Sequence, residues 1–482
     1  MTGGAIVTID NQIITKNYNK IKELVKTYSD KGEYGIALLM AKEAVTYMSK
    51  INAIQRDDEL EELIIKLGYN FYKVEEIYKP VPGRVVVYDE FGDVSNNIVY
   101  NYLEALISMK CEVYYIGLEG SPIRNPYIEE KLKSQIYIVR GSNFKNRIQS
   151  FHSHIRQIRP EIVFMNDAGN SVEALCVLSQ YKEIKKYKLN VIDYTFWLGA
   201  SILDKCINHR AFGGKFACQY RGMKISQQAY LPYYPIERYV YSQTDERLKF
   251  SDKKIIFSCG NMDAITDKDD YIKFIDGMLH KYEDCVFIFI GRINKMAIQK
   301  IFTNYPGRAF RIEDKRLIAY YIRECFVYLS TYPYYNPVMI NTCFEYKKIP
   351  ICLKPFSSAV ETISTKVDRF WEFSNADEAI KFVSLLYAKR IEPSLIEGLA
   401  NDLLSAEEFR EDLEWLLKTN QSRKTIKEEK IYCSSYFYDV YYKEDTNYYK
   451  MFSESENDYL KKHFRKESLQ SSLKGLFGGS KK

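Results

Sequence analysis

FVYLSTYPYYNPVMINTCFEYKKIPICLKP, Phe326–Pro355, reads strand, polar aromatic loop, helix, strand. Phe326–Leu329 is a short apolar run of strand type, and Ile349–Leu353 is a second buried strand. Pro333 and Pro337 bracket the loop. Pro337 suits the first helical turn, where its missing N–H costs nothing, and Val338–Tyr346 follows as a helix. A loop that leaves a strand and enters a helix presents free N–H groups at the positive end of a dipole. That is a seat for a phosphate or a sugar hydroxyl. Alone, the stretch is an ordinary βαβ crossover; its place in the chain gives it more weight.

Upstream of it the same alternation recurs. Strand-type runs stand at Lys254–Asn261, Cys285–Gly291 and Arg308–Ile312, with helices at Tyr271–Tyr282 and Asp314–Glu324 between them. An earlier series begins after KPVPG, Lys79–Gly83, where two prolines and a glycine mark a boundary. Its strands are expected at Val85–Tyr88, Cys111–Leu118, Gln135–Arg140, within Glu161–Asp167, and at Leu189–Tyr194. Helices are expected up to about Met109, over Asn143–Ile158 and over Val172–Tyr181. Apolar strands alternating with helices imply parallel sheets covered on both faces, with ligands outside the carboxyl ends of the strands. Asp89, Asp93, Asp167 and Asp193 fall at or near such ends. Thr195–Pro235 between the two series is polar, aromatic and aperiodic, and reads as a long functional connection.

The chain's 482 residues exceed a single core, so two large domains with appendages are expected. Asn17–Asn52 and Asp57–Tyr78 read as helices, and GEYGIALLMAKEAV resembles one tetratricopeptide repeat; a plain helical hairpin fits equally. Ala376–Tyr387 and Glu392–Leu417 read as helices that fold back across both halves. The expected division is 1–80, helical appendage; 81–235, first Rossmann-like domain; 236–420, second Rossmann-like domain; 421–482, a charged Tyr-rich tail. The tail places apolar residues among basic ones from Leu460 onward, which suits an anionic membrane surface or a solvated end.

Several function classes are disfavoured. Sixty-nine Lys+Arg against 63 Asp+Glu leaves only +6, with no dense basic stripe before the C-terminus, so nucleic acid is not expected as a partner. Ten scattered cysteines without a CxxC pair and five histidines argue for reduced core thiols and against a protein-held metal. Met1–Asp10 does not read as a signal peptide, and no apolar run approaches the ~18–20 residues of a span. A cytoplasmic protein, peripheral at most to the inner membrane face, is the expectation. G-x-G-x-x-G after a first strand, the Walker P-loop and the G-x-S-x-G elbow are all absent.

Three stretches carry a resemblance. VVVYDEFGDVSNNIVYNYLEAL, then DYTFWLGASILD with NHRAFGG, YRGM and LPYYP, then IIFSCGNMDAITDKDD with VFIFIGR, together resemble GT-B glycosyltransferases of bacterial cell-surface glycan clusters. The likeness spans roughly Arg84–Leu417. It implies two Rossmann-like domains facing across a cleft and glycosyl transfer from a nucleotide-sugar, a UDP-sugar first, with no further cofactor and no metal. The implied acceptor is a cell-surface or lipid-linked glycan. The helical start is similar to that of protein-modifying glucosyltransferases, so a protein acceptor stays open, as does oligomerisation.

The resemblance also implies sites. Donor contacts fall to Gly260, Asn261, Arg292, Tyr335, Asn336, Pro337 and Asn341. A strand-end carboxylate, Asp93 or Asp204 with Asp89 and Asp167 behind them, is the expected base. Trp197, Arg210 and Arg221 are expected on the acceptor or interdomain side. One departure is plain. Placing Lys348-Ile349-Pro350 on the family's G-x-P puts Tyr335 and Cys343 where the E-x7-E glutamates stand. A degenerate partner subunit, without catalysis, therefore remains the non-enzyme alternative.

Overall fold

Arg84–Asp89 (β1) and Ile162–Asn166 (β4) are short apolar strands buried on both faces, and they lie side by side at the centre of a seven-stranded parallel sheet. The computed structural model describes residues 11–51, 53–92, 97–120, 126–167, 169–193, 195–234, 250, 252–262, 265, 267–314, 317–332, 335, 337–353, 371–390 and 405–426. Three helices precede the sheet: α1 (Asn11–Asp30), α2 (Tyr34–Ile51) and α3 (Asp58–Phe71). Gly32, at φ +76°, separates the first two, so the expected Asn17–Asn52 helix is a pair.

The first sheet continues with α4 (Asn97–Ser108), β2 (Glu112–Leu118), α5 (Pro126–Leu132), β3 (Ile136–Val139), α6 (Phe144–Ile158) and α7 (Val172–Leu178). Its remaining parts are β5 (Lys185–Leu189), β6 (Lys205–Asn208), α8 (Ala211–Arg221) and β7 (Gln228–Tyr230). The order is β3-β2-β1-β4-β5-β6-β7. The chain starts in the middle and winds outward in both directions, so the order reverses between β1 and β4.

Two expectations need correction. The fifth strand is Lys185–Leu189, not Leu189–Tyr194. KKYKL reads as solvated, yet Lys186 and Lys188 are buried, their ammonium groups donating to the Ile184 carbonyl and to Asp167. And Thr195–Pro235 is not wholly irregular, since β6, α8 and β7 lie within it. Between β5 and β6, residues 190–193 and 195–204 carry no helix or strand and belong to a strap that returns the chain from the carboxyl end of β5 to the amino end of β6.

The second sheet comprises β8 (Lys254–Met262), β9 (Cys285–Ile293), β10 (Ala309–Ile312), β11 (Val327–Leu329), β12 (Ile349–Leu353) and β13 (Glu372–Phe373), ordered β10-β9-β8-β11-β12-β13. Its helices are α9 (Asp270–Lys281), α10 (Lys295–Asn304), α11 (Ile318–Glu324), α12 (Pro337–Glu345) and α13 (Ala376–Tyr387). This sheet reverses between β8 and β11.

Two boundaries differ from expectation. The initial helices share one core with the first sheet, where Ala41, Tyr47, Ile64 and Leu67 join Val86, Val163 and Cys176. They are a layer of the first domain rather than an appendage. The last described helix, α14 (Ala406–Thr419), buries Phe409, Leu413 and Leu416 in the other core of that domain, with Tyr102 and Leu103 of α4. Beyond it Lys424 bridges to Tyr230 at the β7 edge. The Tyr-rich tail from 427 onward lies outside the described residues.

Candidate functional site

At a chain reversal, two neighbouring loops leave the sheet in opposite directions and open a crevice at the carboxyl edge. In the first sheet that edge holds Asp89, Glu90, Asn166 and Asp167. Asp89 is 3% exposed and accepts from Tyr115 Oη (2.7 Å), Asn166 Nδ2 (2.8 Å) and Phe91 N (3.0 Å). Burial pushes its carboxyl up, and these three donors draw it back. Asp89 is thus consumed in shaping the turn.

Glu90 points the other way, because successive side chains alternate across the pleat. It is partly exposed. Tyr88 Oη donates to its Oε1 at 2.7 Å and lies 3.0 Å from Ser171 Oγ. Desolvation, then the nearby negative charge of Asp167, push the Glu90 carboxyl up to about 7. Asp167 itself pairs with the Lys188 ammonium and accepts from Gly169 N at 2.6 Å. Glu173 beside it pairs with Arg147 at 2.9 Å. A carboxyl that titrates near neutrality at a sheet's reversal point can hold or accept a proton at working pH.

Further along the same edge, Asp193 accepts a bidentate pair from Arg210, Nε at 2.6 Å and Nη2 at 2.5 Å. Arg210 stands at the start of α8. His209, just past β6, lies edge-on to Tyr102 and Tyr233. Burial pushes the imidazole down to about 4, and the Leu231 backbone draws it back.

The expected residues divide. Asp93 falls in 93–96, outside the described residues. Asp204 precedes β6, at the amino edge of the sheet, where its Oδ2 accepts from Lys186 N at 2.8 Å. It is a backbone cap at the end opposite the crevice and drops out as the base. Trp197 and Arg221 are 1% and 0% exposed. They belong to the core beneath the strap, the guanidinium 4.5 Å over the indole, and not to an acceptor surface. Arg210 keeps its place at the carboxyl edge. Glu90 is not among the expected residues, although the doublet Asp89-Glu90 at a strand end carries a signal: alternation across the pleat sends the two carboxyls to opposite faces.

In the second sheet, Gly260 and Gly291 are partners in the β8–β9 register, at φ +138° and +137°. A Cβ on Gly291 would lie 2.1 Å from the Gly260 carbonyl oxygen. Only glycine fits this double kink, and past it the ladder continues as Asn261 opposite Arg292. Arg292 is exposed; the Asn261 side chain is outside the described set. Across the reversal, β11 ends in buried Ser330 and Thr331, and the chain enters α12 at Pro337. Tyr335 packs partly buried against the core. Asn336 and the side chains of Pro337 and Asn341 lie outside the described residues. Cys343 is fully buried among the second core's apolar residues. That position of the expected glutamate pair faces the protein interior.

Among the described residues no group of His, Cys, Asp and Glu is placed to hold a metal, and no helix is long and apolar enough to cross a membrane. The nine described cysteines are free.

No protein-family model matches the sequence. No curated protein matches it either. Solved structures do. HepE of Anabaena in complex with UDP-glucose aligns over 70% of this chain and 99% of its own, at 8% identity and TM-score 0.53. MnaA of S. aureus with UDP aligns over 70% and 96%, at 12% identity and TM-score 0.51. A UDP-N-acetylglucosamine 2-epimerase aligns over 72% and 100%, at 10% identity and TM-score 0.51. Such identities speak for the fold alone. Nearly the whole of each neighbour is matched, so both doubly wound sheets are shared and not one Rossmann-like unit only. The chain therefore has the GT-B fold, two Rossmann-like domains facing across a cleft, with further helical layers on the first.

Proposed function

We propose that the protein transfers a glycosyl group from a nucleotide-sugar, a UDP-sugar first among donors, to the hydroxyl of a glycan or lipid-linked glycan. The observation that carries this is the place of Glu90, hydrogen-bonded by Tyr88 at the carboxyl edge where the first sheet reverses, its carboxyl pushed up by burial and by the charge of Asp167. The fold neighbours with UDP-glucose and UDP support the choice of donor. In this reading the Glu90 carboxylate takes the proton of the acceptor hydroxyl. The acceptor oxygen then bonds to the anomeric carbon. The bond from that carbon to the nucleoside diphosphate breaks, and the diphosphate leaves with the electron pair. The positive end of α12 and the exposed Arg292 meet its charge, so no metal is called for. Attack opposite the leaving group inverts the anomeric centre.

The test is release of free UDP from a panel of UDP-sugars with oligosaccharide, lipid-linked and polypeptide acceptors. Glu90→Gln is expected to lower kcat about 10²–10⁴-fold with little change in UDP affinity, and chelator is expected to leave turnover intact. Mass shifts assign the acceptor, and a shifted polypeptide would move the protein to the protein-modifying alternative. Neither turnover nor UDP binding across the panel would leave the non-catalytic partner subunit as the reading. A product epimerised at C2 of the sugar, seen by NMR without acceptor, would replace transfer by epimerisation.

A further inference from the structure

Glu61 is a carboxylate in the first helical layer with no exposed surface. It sits on α3, yet its partners all belong to the strap between β5 and β6. Oε1 accepts from Gly199 N (2.8 Å) and Ala200 N (3.2 Å). Oε2 accepts from Ser201 N (3.0 Å) and from the Ser201 hydroxyl. Consecutive N–H groups converging on one carboxylate form the concavity that elsewhere binds anions. Two further bonds join the same helical layer to this region: Ser49 Oγ to the Phe196 carbonyl at 3.5 Å, and Arg56 Nη1 to the Arg221 carbonyl at 2.8 Å.

The strap does not end the path. Leu198 N, next to the clamped peptides, donates to the Gly169 carbonyl at 2.7 Å. Gly169 N donates to Asp167 Oδ1 at 2.6 Å. Asp167 pairs with Lys188 and faces Glu90. Gly169 has φ +81°, and a Cβ there would meet Trp197 Cβ at 1.9 Å, so the strap and the β4–α7 turn are locked together. The route from Glu61 reaches Asp167 through hydrogen bonds and packed backbone, and Asp167 acts on Glu90 through its charge.

We propose that Glu61 is a positioning residue: from the helical layer it fixes the strap, and through Leu198 and Gly169 it holds Asp167 in register with Lys188 beside Glu90. The importance of the helices then lies in the geometry of the crevice. This rests on Glu90 as the base for its kinetic consequence, but not for its structural one. The charged and titratable groups around Glu90 are Tyr88 from β1, Asp167 beyond β4 and Glu173 from α7. Lys188 of β5 offsets Asp167, while Arg147 of α6 and Lys42 of α2 offset Glu173. Loosening Asp167 from Lys188 leaves more negative charge near Glu90, so its proton is held to higher pH.

Hydrogen exchange on the full chain tests the path without reference to activity. In Glu61→Gln, the amide group places a donor where an acceptor is needed. Exchange is expected to rise about tenfold in peptides covering 197–201 and also in those covering 165–171, while second-domain peptides stay as in wild type. The pH–rate profile of UDP release is expected to move its acid limb to higher pH. Faster exchange at 197–201 alone, or an equal rise throughout the chain, overturns the proposal. If wild type shows no turnover on any donor, the functional reading fails and the exchange pattern alone decides the positioning role. Should Glu61→Gln not fold, Ser201→Ala removes one of the four bonds and is expected to give the same pattern at about threefold.

Discussion

Trp197 has two cations over its ring, the Arg221 guanidinium at 4.5 Å and the Lys188 ammonium at 5.4 Å. Arg221 is fully buried; its Nη2 donates to the Thr195 carbonyl, and among the described residues Nε and Nη1 have no hydrogen-bond partner. Burial pushes it down to about 9. The faces of Trp197 and Phe216, the negative end of α8 and the nearby charge of Asp193 offset its charge. Glu90 poses the opposite problem. Its raised carboxyl means the folded chain binds a proton more tightly than the unfolded chain between pH 4.5 and about 7. That contribution to stability is present below pH 4.5 and is lost as pH rises through about 7. Glu90→Gln should therefore gain on wild type between pH 5 and pH 8, by on the order of 1–3 kcal/mol in urea titrations. An unchanged difference across that range would mean that the carboxyl is solvated. Sequence marks acids at strand ends, but it does not say which is desolvated. Asp89 and Glu90 are neighbours, and the pleat sends them to opposite faces.

At the scale of elements, three parts of Phe326–Pro355 are legible in the sequence: strand Val327–Leu329, helix Pro337–Glu345 and strand Ile349–Leu353. Apolar runs and a proline at the first helical turn are local signals. The strand Lys185–Leu189 was not legible, because two lysines sit where an apolar strand is expected and their compensation comes from Asp167 and a distant carbonyl. Nor was the glycine pair. Gly260 and Gly291 are separated in sequence and meaningful only when β8 and β9 are in register. Gly291→Ala puts a methyl against the Gly260 oxygen and a side chain at φ +137°. The expected cost is about 1–3 kcal/mol of stability, with weaker UDP binding by calorimetry. Unaltered stability and affinity would show that the kink is dispensable.

At the scale of the whole molecule, the three initial helices and α14 are built onto the first sheet from opposite faces. α3 approaches α7 so closely that a Cβ on Gly68 would lie 2.8 Å from the Cys176 carbonyl oxygen. Gly68→Leu should wedge the helices apart at a cost of about 1–3 kcal/mol or more, with protease nicking of the helical layer before the second domain; simultaneous cleavage throughout would contradict that order. Sequence by itself determined two parallel α/β series and most strand positions, because burial on both faces leaves a local apolar run. Only the tertiary structure decided that the helices belong to the first core, that Trp197 and Arg221 are interior, that Asp204 lies at the amino edge of the sheet, and that Glu90 stands at the carboxyl edge. Desolvation and the partners of a charged group come from residues far apart in the chain, and their juxtaposition exists only once the sheets have formed.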